Sequence, residues 1–211
     1  MTTTPRCICF DLDGTLVDSR AAIVGCFQES LEDHGVRGIA NEAIAGNIGR
    51  PLAEMLEGLV PVVDQPPILE QYSARFPVWD RKCSRVFPGV RAAVEQLRER
   101  SEFLLITSSK SRRGIVRVLD EQHLAQWFDG IWGGDMVERG KPHPEMILRA
   151  MASVGVTASE TLLVGDTTYD IVMGVAAGVQ SWGVSWGMHD VARLQAAGAT
   201  RIIETGEALG A

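Results

Sequence analysis

A chain of 211 residues, 45% apolar and 22% charged, has the composition of an ordinary globular protein and enough length to bury a real core. Its formal charge of -7 disfavours non-specific binding to nucleic acid or to an anionic membrane surface, and no run approaches the roughly 20 apolar residues of a membrane-spanning helix. MTTTPRCICF enters an apolar run without a signal-peptide pattern, so a cytoplasmic location is expected, and the four cysteines read as small buried hydrophobes rather than as a disulfide framework.

The first element is the continuous apolar run at residues 7–10, a buried strand of a parallel sheet, which ends abruptly in Asp11, Asp13 and Gly14. Ser19 is placed to cap a helix over residues 20–35, where Ile23, Val24, Phe27 and Leu31 form an apolar stripe at helical spacing. Residues 41–59 read as further helix broken at Gly46 and Gly49, with Pro51 opening a new turn. Residues 60–67 are proline-rich and irregular, and Pro67 starts another helix through residue 75. From Val86 the pattern changes. A Phe-Pro-Gly turn at 87–89 leads to a helix with Val90, Val94 and Leu97 inward, then strand 103–106, helix 111–119, strand 130–132 and helix 143–154. Strand 161–164, helix 170–177, strand 180–184, an edge strand at 201–203 and a short helix through Leu209 complete the chain. Strands separated by single helices predict an α/β domain with a parallel sheet and right-handed connections. The helical excursion after the first strand interrupts that alternation, which makes 20–84 an inserted cap and 1–19 plus 85–211 the core.

Ligands of open parallel sheets bind at the carboxyl ends of the strands, and polar residues gather there in this chain. The first strand delivers Asp11 and Asp13, the second Thr107, Ser108 and Ser109, and the fourth Asp166 and, one helical turn on, Asp170. Lys141 comes from the loop after the third strand, ahead of a proline-started helix. Singly, each has a bland reading as a cap, a turn or solvated surface. Together they describe a site for a cation and an anion: a phosphate ester supplies the anion, and Mg²⁺ answers the repulsion between crowded acids. Asp11 is placed to attack phosphorus with one oxygen while the other holds the metal, giving an aspartyl phosphate. Asp13 reaches the leaving-group oxygen, donates a proton and later takes one from the hydrolytic water, while its backbone carbonyl serves the ion. The Thr107 hydroxyl and the Ser108 N–H bind phosphoryl oxygens, and Lys141 neutralises charge in the transition state. Asp166 ligates Mg²⁺, and Asp170, on the same face if the helix has begun, ligates or orients. The expected metal set is Asp11, Asp13, Asp166 and Asp170.

DLDGTLVDS at 11–19, ITSS at 106–109, GKPHPEM at 140–146 and GDTTYD at 165–170 resemble, in their usual order, the four motifs of the haloacid-dehalogenase-like phosphohydrolases. The resemblance covers nearly the whole chain and is strongest to the branch of the phosphoglycolate phosphatases and β-phosphoglucomutase. It implies a Rossmann-like parallel core with a helical cap that closes over the site to exclude water. It also implies Asp11 as nucleophile, Asp13 as general acid/base, Thr107 and Lys141 as phosphate ligands, and Asp166 as metal ligand with Asp170 in support. The expected activity is Mg²⁺-dependent hydrolysis of a small phosphorylated metabolite, 2-phosphoglycolate first. A sugar phosphomutase or a pyrophosphatase on the same core is the alternative.

Dehalogenases resemble this fold but lack an acid where Asp13 stands, and a phosphonatase needs a Schiff-base lysine where 20–86 offers only Lys82. From another class, a phospho-acceptor signalling module gathers similar residues at strand ends. It seldom needs such a cap, and Asp13 would have no proton to move. Arg50, between helix-breaking glycines and a proline, reads equally as a cap ligand for a second phosphate or a substrate carboxylate and as surface charge. Trp182 and Trp186 read as packing or interface residues, in a monomer or a homodimer. His143 shapes the turn after Lys141, and His34 and His189 support no metal reading.

Overall fold

A computed structural model describes residues 5–210; residues 1–4 and 211 of the expected core lie outside them. The chain runs through β1 (Cys7–Phe10) and β2 (Val17–Asp18), makes a helical excursion through α1 (Arg20–Asp33), α2 (Asn41–Ala45) and α3 (Gln65–Cys83), and returns at β3 (Arg85–Val86). Helix and strand then alternate: α4 (Val90–Arg100), β4 (Phe103–Ser108), α5 (Arg112–Glu121), β5 (Gly130–Gly133), α6 (Glu145–Val154) and β6 (Thr161–Gly165). The last elements are α7 (Thr168–Ala177), β7 (Gln180–Val184), α8 (Val191–Ala196) and β8 (Arg201–Ile203).

Six strands form one parallel sheet in the order β5-β4-β1-β6-β7-β8, the α/β core expected from the alternation. β1 is central, with Cys9 paired to Leu105 of β4 and to Leu163 of β6. Both faces of β1 are covered, which is why it needs apolar residues at every position. Its alternate side chains feed two cores. Ile8 and Phe10 join Leu104, Ile106 and Val164 beneath α4 and α5, while Cys7 and Cys9 join Leu105 and Leu163 beneath α6 and α7. All four cysteines are free thiols.

β2 and β3 pair antiparallel, Val17 with Val86 and Asp18 with Arg85, so the chain leaves and re-enters the core side by side. The excursion has its own apolar cluster, centred on Phe27, Ile44, Leu56, Ile68, Tyr72 and Phe76, with Met188 packing in from the core. Phe27 stacks on Tyr72 with ring centroids 4.0 Å apart.

Local structure departs from the sequence reading in four places. Ser19 stands at the N-cap of α1, but its hydroxyl is buried and accepts no N–H from the helix. α2 is a single short turn of helix, and the glycines and Pro51 leave the following segment as turns around a 3-10 turn at Leu52–Glu54. α3 begins at Gln65, with Pro66 and Pro67 in its first turn where no N–H is needed, and runs past Pro77 to Cys83. Tertiary contacts carry that extension: Phe76 and Asp80 are buried, and Asp80 meets Arg117 at 3.0 Å. α8 lacks a strong apolar stripe and is fixed instead by Asp190, whose side chain accepts the Arg193 N–H at 2.9 Å.

Candidate active site

The strand order reverses beside β1: the chain steps outward from β1 to β4 and β5 on one side, then crosses back to β6, β7 and β8 on the other. The crevice at the carboxyl end of β1 is where such folds bind ligands, and Asp11 is the first residue to enter it. Gly14, at φ 92°, carries the loop past Asp166 so closely that a Cβ there would lie 2.2 Å from a carboxylate oxygen.

Asp11, Asp166 and Asp170 are all buried, and each offers an oxygen within 4.8 Å of the others. Buried Lys141 spans two of them, its ammonium donating to Asp11 Oδ1 at 2.6 Å and to Asp170 Oδ1 at 2.5 Å. Asp166 accepts from the Thr15 hydroxyl and from the Met188 N–H, each at 2.8 Å. Asp170 is placed by a capping box. Its Oδ2 accepts from the Thr167 N–H at 3.0 Å and the Thr167 hydroxyl at 2.7 Å, while Thr167 caps the helix. Asp166 precedes α7, so the expected helical i, i+4 relation is not what brings the two acids together.

Three carboxylates and one ammonium leave a buried excess of negative charge. Burial drives the Asp11 carboxyl up to about 7; Lys141 opposes this and Asp170 adds to it. Burial, reinforced by Asp11 and Asp170, pushes Asp166 well above the carboxylate range. Burial alone would lower Lys141, but Asp11 and Asp170 outweigh it and hold the ammonium above its ordinary value. Such an all-oxygen set fits a hard divalent cation such as Mg²⁺.

Asp13 stands apart from that cluster. Its Oδ2 meets Lys110 Nζ at 3.1 Å, and its Oδ1 is buried with no hydrogen-bond partner among the described residues. Thr107 Oγ1 is buried and equally unpartnered, and the buried Ser108 hydroxyl accepts the Lys110 N–H at 3.3 Å. A cavity of about 330 Å³ opens over Asp11, Asp13, Ser108 and Lys110, and side chains of the excursion form its far wall. Arg50 does not line it. The Arg50 guanidinium is paired with Glu57 at 2.5 Å and Glu54 at 3.2 Å.

Sequence reasoning missed Thr15, Lys110 and Thr167. Lys110 had a signal, since it follows the hydroxyl run directly, but its reach to Asp13 depends on the turn after β4. Trp186 is a packing residue, donating to the Thr15 carbonyl at 3.1 Å. His143 Nδ1 accepts the Glu145 N–H at 3.1 Å and shapes the turn as expected. His189 is buried, with Nδ1 accepting the Thr168 N–H at 3.0 Å.

A sequence profile described as Haloacid dehalogenase-like hydrolase matches residues 8–184. The chain belongs to this family. It is 37% identical over 211 residues to Probable phosphatase IndB of Dickeya dadantii, covering 97% of this chain and 92% of that one. It is 32% identical over 199 residues to Pyrophosphatase PpaX of Oceanobacillus iheyensis, covering 94% and 92%. Phosphoglycolate phosphatase of Pseudomonas putida is 31% identical over 215 residues, covering 98% and 79%. Among haloacid dehalogenase-like hydrolases this chain is therefore a phosphatase, as the four motifs implied.

Proposed function

We propose that the protein hydrolyses a small phosphate monoester in a Mg²⁺-dependent reaction, through an aspartyl phosphate on Asp11. The observation that carries this reading is the buried trio of Asp11, Asp166 and Asp170 bridged by Lys141, beside a separate acid with an uncommitted oxygen, Asp13. Mg²⁺ bound by Asp11, Asp166, Asp170 and the backbone at Asp13 would offset the crowded charge and polarise the phosphoryl group.

Asp11 Oδ attacks phosphorus, and the bond from phosphorus to the ester oxygen breaks. Asp13 protonates the departing alkoxide, then takes a proton from the water that cleaves the aspartyl phosphate, so both acids return to their starting state. The unpartnered Thr107 hydroxyl and the Ser108 N–H serve phosphoryl oxygens, and Lys141 holds Asp11 in line while countering charge in the transition state. Residues 20–84 act as a cap on the core of 1–19 and 85–211, hinged at the β2–β3 ribbon and shielding the phosphoenzyme.

The Pseudomonas putida relative is named for phosphoglycolate and the Oceanobacillus iheyensis one for pyrophosphate, which makes 2-phosphoglycolate and pyrophosphate the first compounds to test. A phosphomutase would use the same Asp11 and Asp13 and differ in protecting the aspartyl phosphate from water. No described helix is long and apolar enough to cross a membrane, and the proposed setting is the cytoplasm, with a phosphorylated metabolite as partner.

Phosphate release from a panel of phosphate esters, with Mg²⁺ and with EDTA, tests the reading. Turnover should need the metal, and Asp11→Asn should lower kcat by on the order of 10³-fold or more. Undiminished turnover by that variant would end the proposal.

A further inference from the structure

The charge on the cavity wall is unevenly distributed. On the core side stand Asp11, Asp13 and Asp135 with two cations, Lys110 beside the proposed general acid Asp13 at 3.1 Å and Arg117 paired with Asp80 at 3.0 Å. The cap side carries no charged residue among the described lining. It presents Phe27, Ile48, Leu52, Met55, Tyr72 and Phe76, and Arg50, the cation between lining residues Gly49 and Pro51, is held away by Glu54 and Glu57. A carboxylate or a second phosphate carried toward the cap would thus leave water for a face that offers no cation to receive it. An uncharged ring would instead cover apolar surface, and the volume, about 330 Å³, is at the lower end of the range for small-molecule sites. Tyr72 adds one phenol to that otherwise apolar face.

We propose that the substrate is a phosphate monoester whose alcohol carries an uncharged ring, in preference to a small doubly anionic ester or pyrophosphate. The inference rests on the hydrolase reading above for its chemistry and on the wall for its selectivity. The phosphate sits at the acids and Lys141, and the ring lies against the cap.

Benzyl phosphate and 2-phosphoglycolate are both esters of simple alkyl alcohols, so comparing their kcat/KM with Mg²⁺ reads recognition. Their non-hydrolysable counterparts, 2-phenylethylphosphonate and 3-phosphonopropionate, give the same comparison by calorimetry without turnover. Benzyl phosphate should be favoured at least about tenfold, mainly in KM, with the ring phosphonate the tighter ligand. Ser73→Lys, at an exposed lining position on α3, and Leu52→Lys should each shrink that preference by about fivefold. Better use of 2-phosphoglycolate with tighter binding of 3-phosphonopropionate would overturn the inference and leave the hydrolase reading standing. Hydrolysis of no ester in the wider panel, with the ring phosphonate still the tighter ligand, would sink the aspartyl-phosphate reading and keep the ring preference.

Discussion

Asp166 carries a conflict between stability and function. It is fully buried, it faces two other acids, and among the described residues its carboxylate is supported by one hydroxyl and one backbone N–H. In the metal-free protein its charge opposes folding, because burial and its neighbours disfavour the ionised form. Asp166→Asn removes that charge and keeps the side chain's shape. The variant should melt a few degrees above wild type in EDTA, should gain nothing from added Mg²⁺, and should be inactive. Melting curves of both proteins with and without the ion check this, and a lower melting point for the variant in EDTA would count against it. At this scale much of the site was legible in the sequence, because Asp11, Lys141, Asp166 and Asp170 stand at strand ends that a parallel sheet must bring together. Thr15 and Lys110 were not. A hydroxyl and a lysine in turns have many solvated alternatives, and only the path of the loop sets their partners.

At the scale of elements, the sheet is fastened at the end opposite the site. Arg6, just ahead of β1, reaches Glu102 ahead of β4 and Glu160 ahead of β6, each at 2.7 Å, so one guanidinium ties the amino ends of three adjacent strands. The hydrogen bond from Arg6, with further ones from the Thr157 N–H and hydroxyl, holds Glu160 down at about 2. A lowered carboxyl contributes stability that is present above its unfolded value, near 4.5, and is lost as pH falls through about 2. The advantage of wild type over Glu160→Gln in urea unfolding should therefore be seen at neutral pH and shrink across that acidic window. A gap independent of pH would mean that lost packing, not charge, explains the difference. Element identity was legible wherever burial on two faces demanded an apolar run, as in β1, β4 and β6. It failed where a proline suggested a stop, as at Pro77 in α3, because packing of Phe76 and the Asp80–Arg117 pair outweighs the local signal.

For the whole molecule, what matters is how tightly residues 20–84, the proposed cap, are set on the rest of the chain. Away from the site, the Asp80–Arg117 pair at 3.0 Å joins the two; at the site, contact runs through other groups. The Ser109 hydroxyl donates to the Gly49 carbonyl at 2.7 Å, Lys110 lies 4.3 Å from the centre of the Phe76 ring, and Met188 packs into the cap cluster while its N–H holds Asp166. Cap position and the acid cluster therefore share a support. Gly49 makes one close approach, at φ 100°, with room so limited that a Cβ would lie 2.8 Å from a Thr167 methyl, one residue from Asp166. Any side chain there must strain the backbone or lift the cap, and lifting is easier because the β2–β3 ribbon is only two residues long on each strand. Gly49→Ala should raise KM by about fivefold or more while the melting temperature falls by less than about 5 °C. Hydrogen exchange should quicken in 46–52 and in 108–111 and stay unchanged in β1, β4 and β6. If KM and exchange both match wild type, the position of residues 20–84 does not depend on this contact, and the other contacts, Asp80–Arg117 among them, must set it.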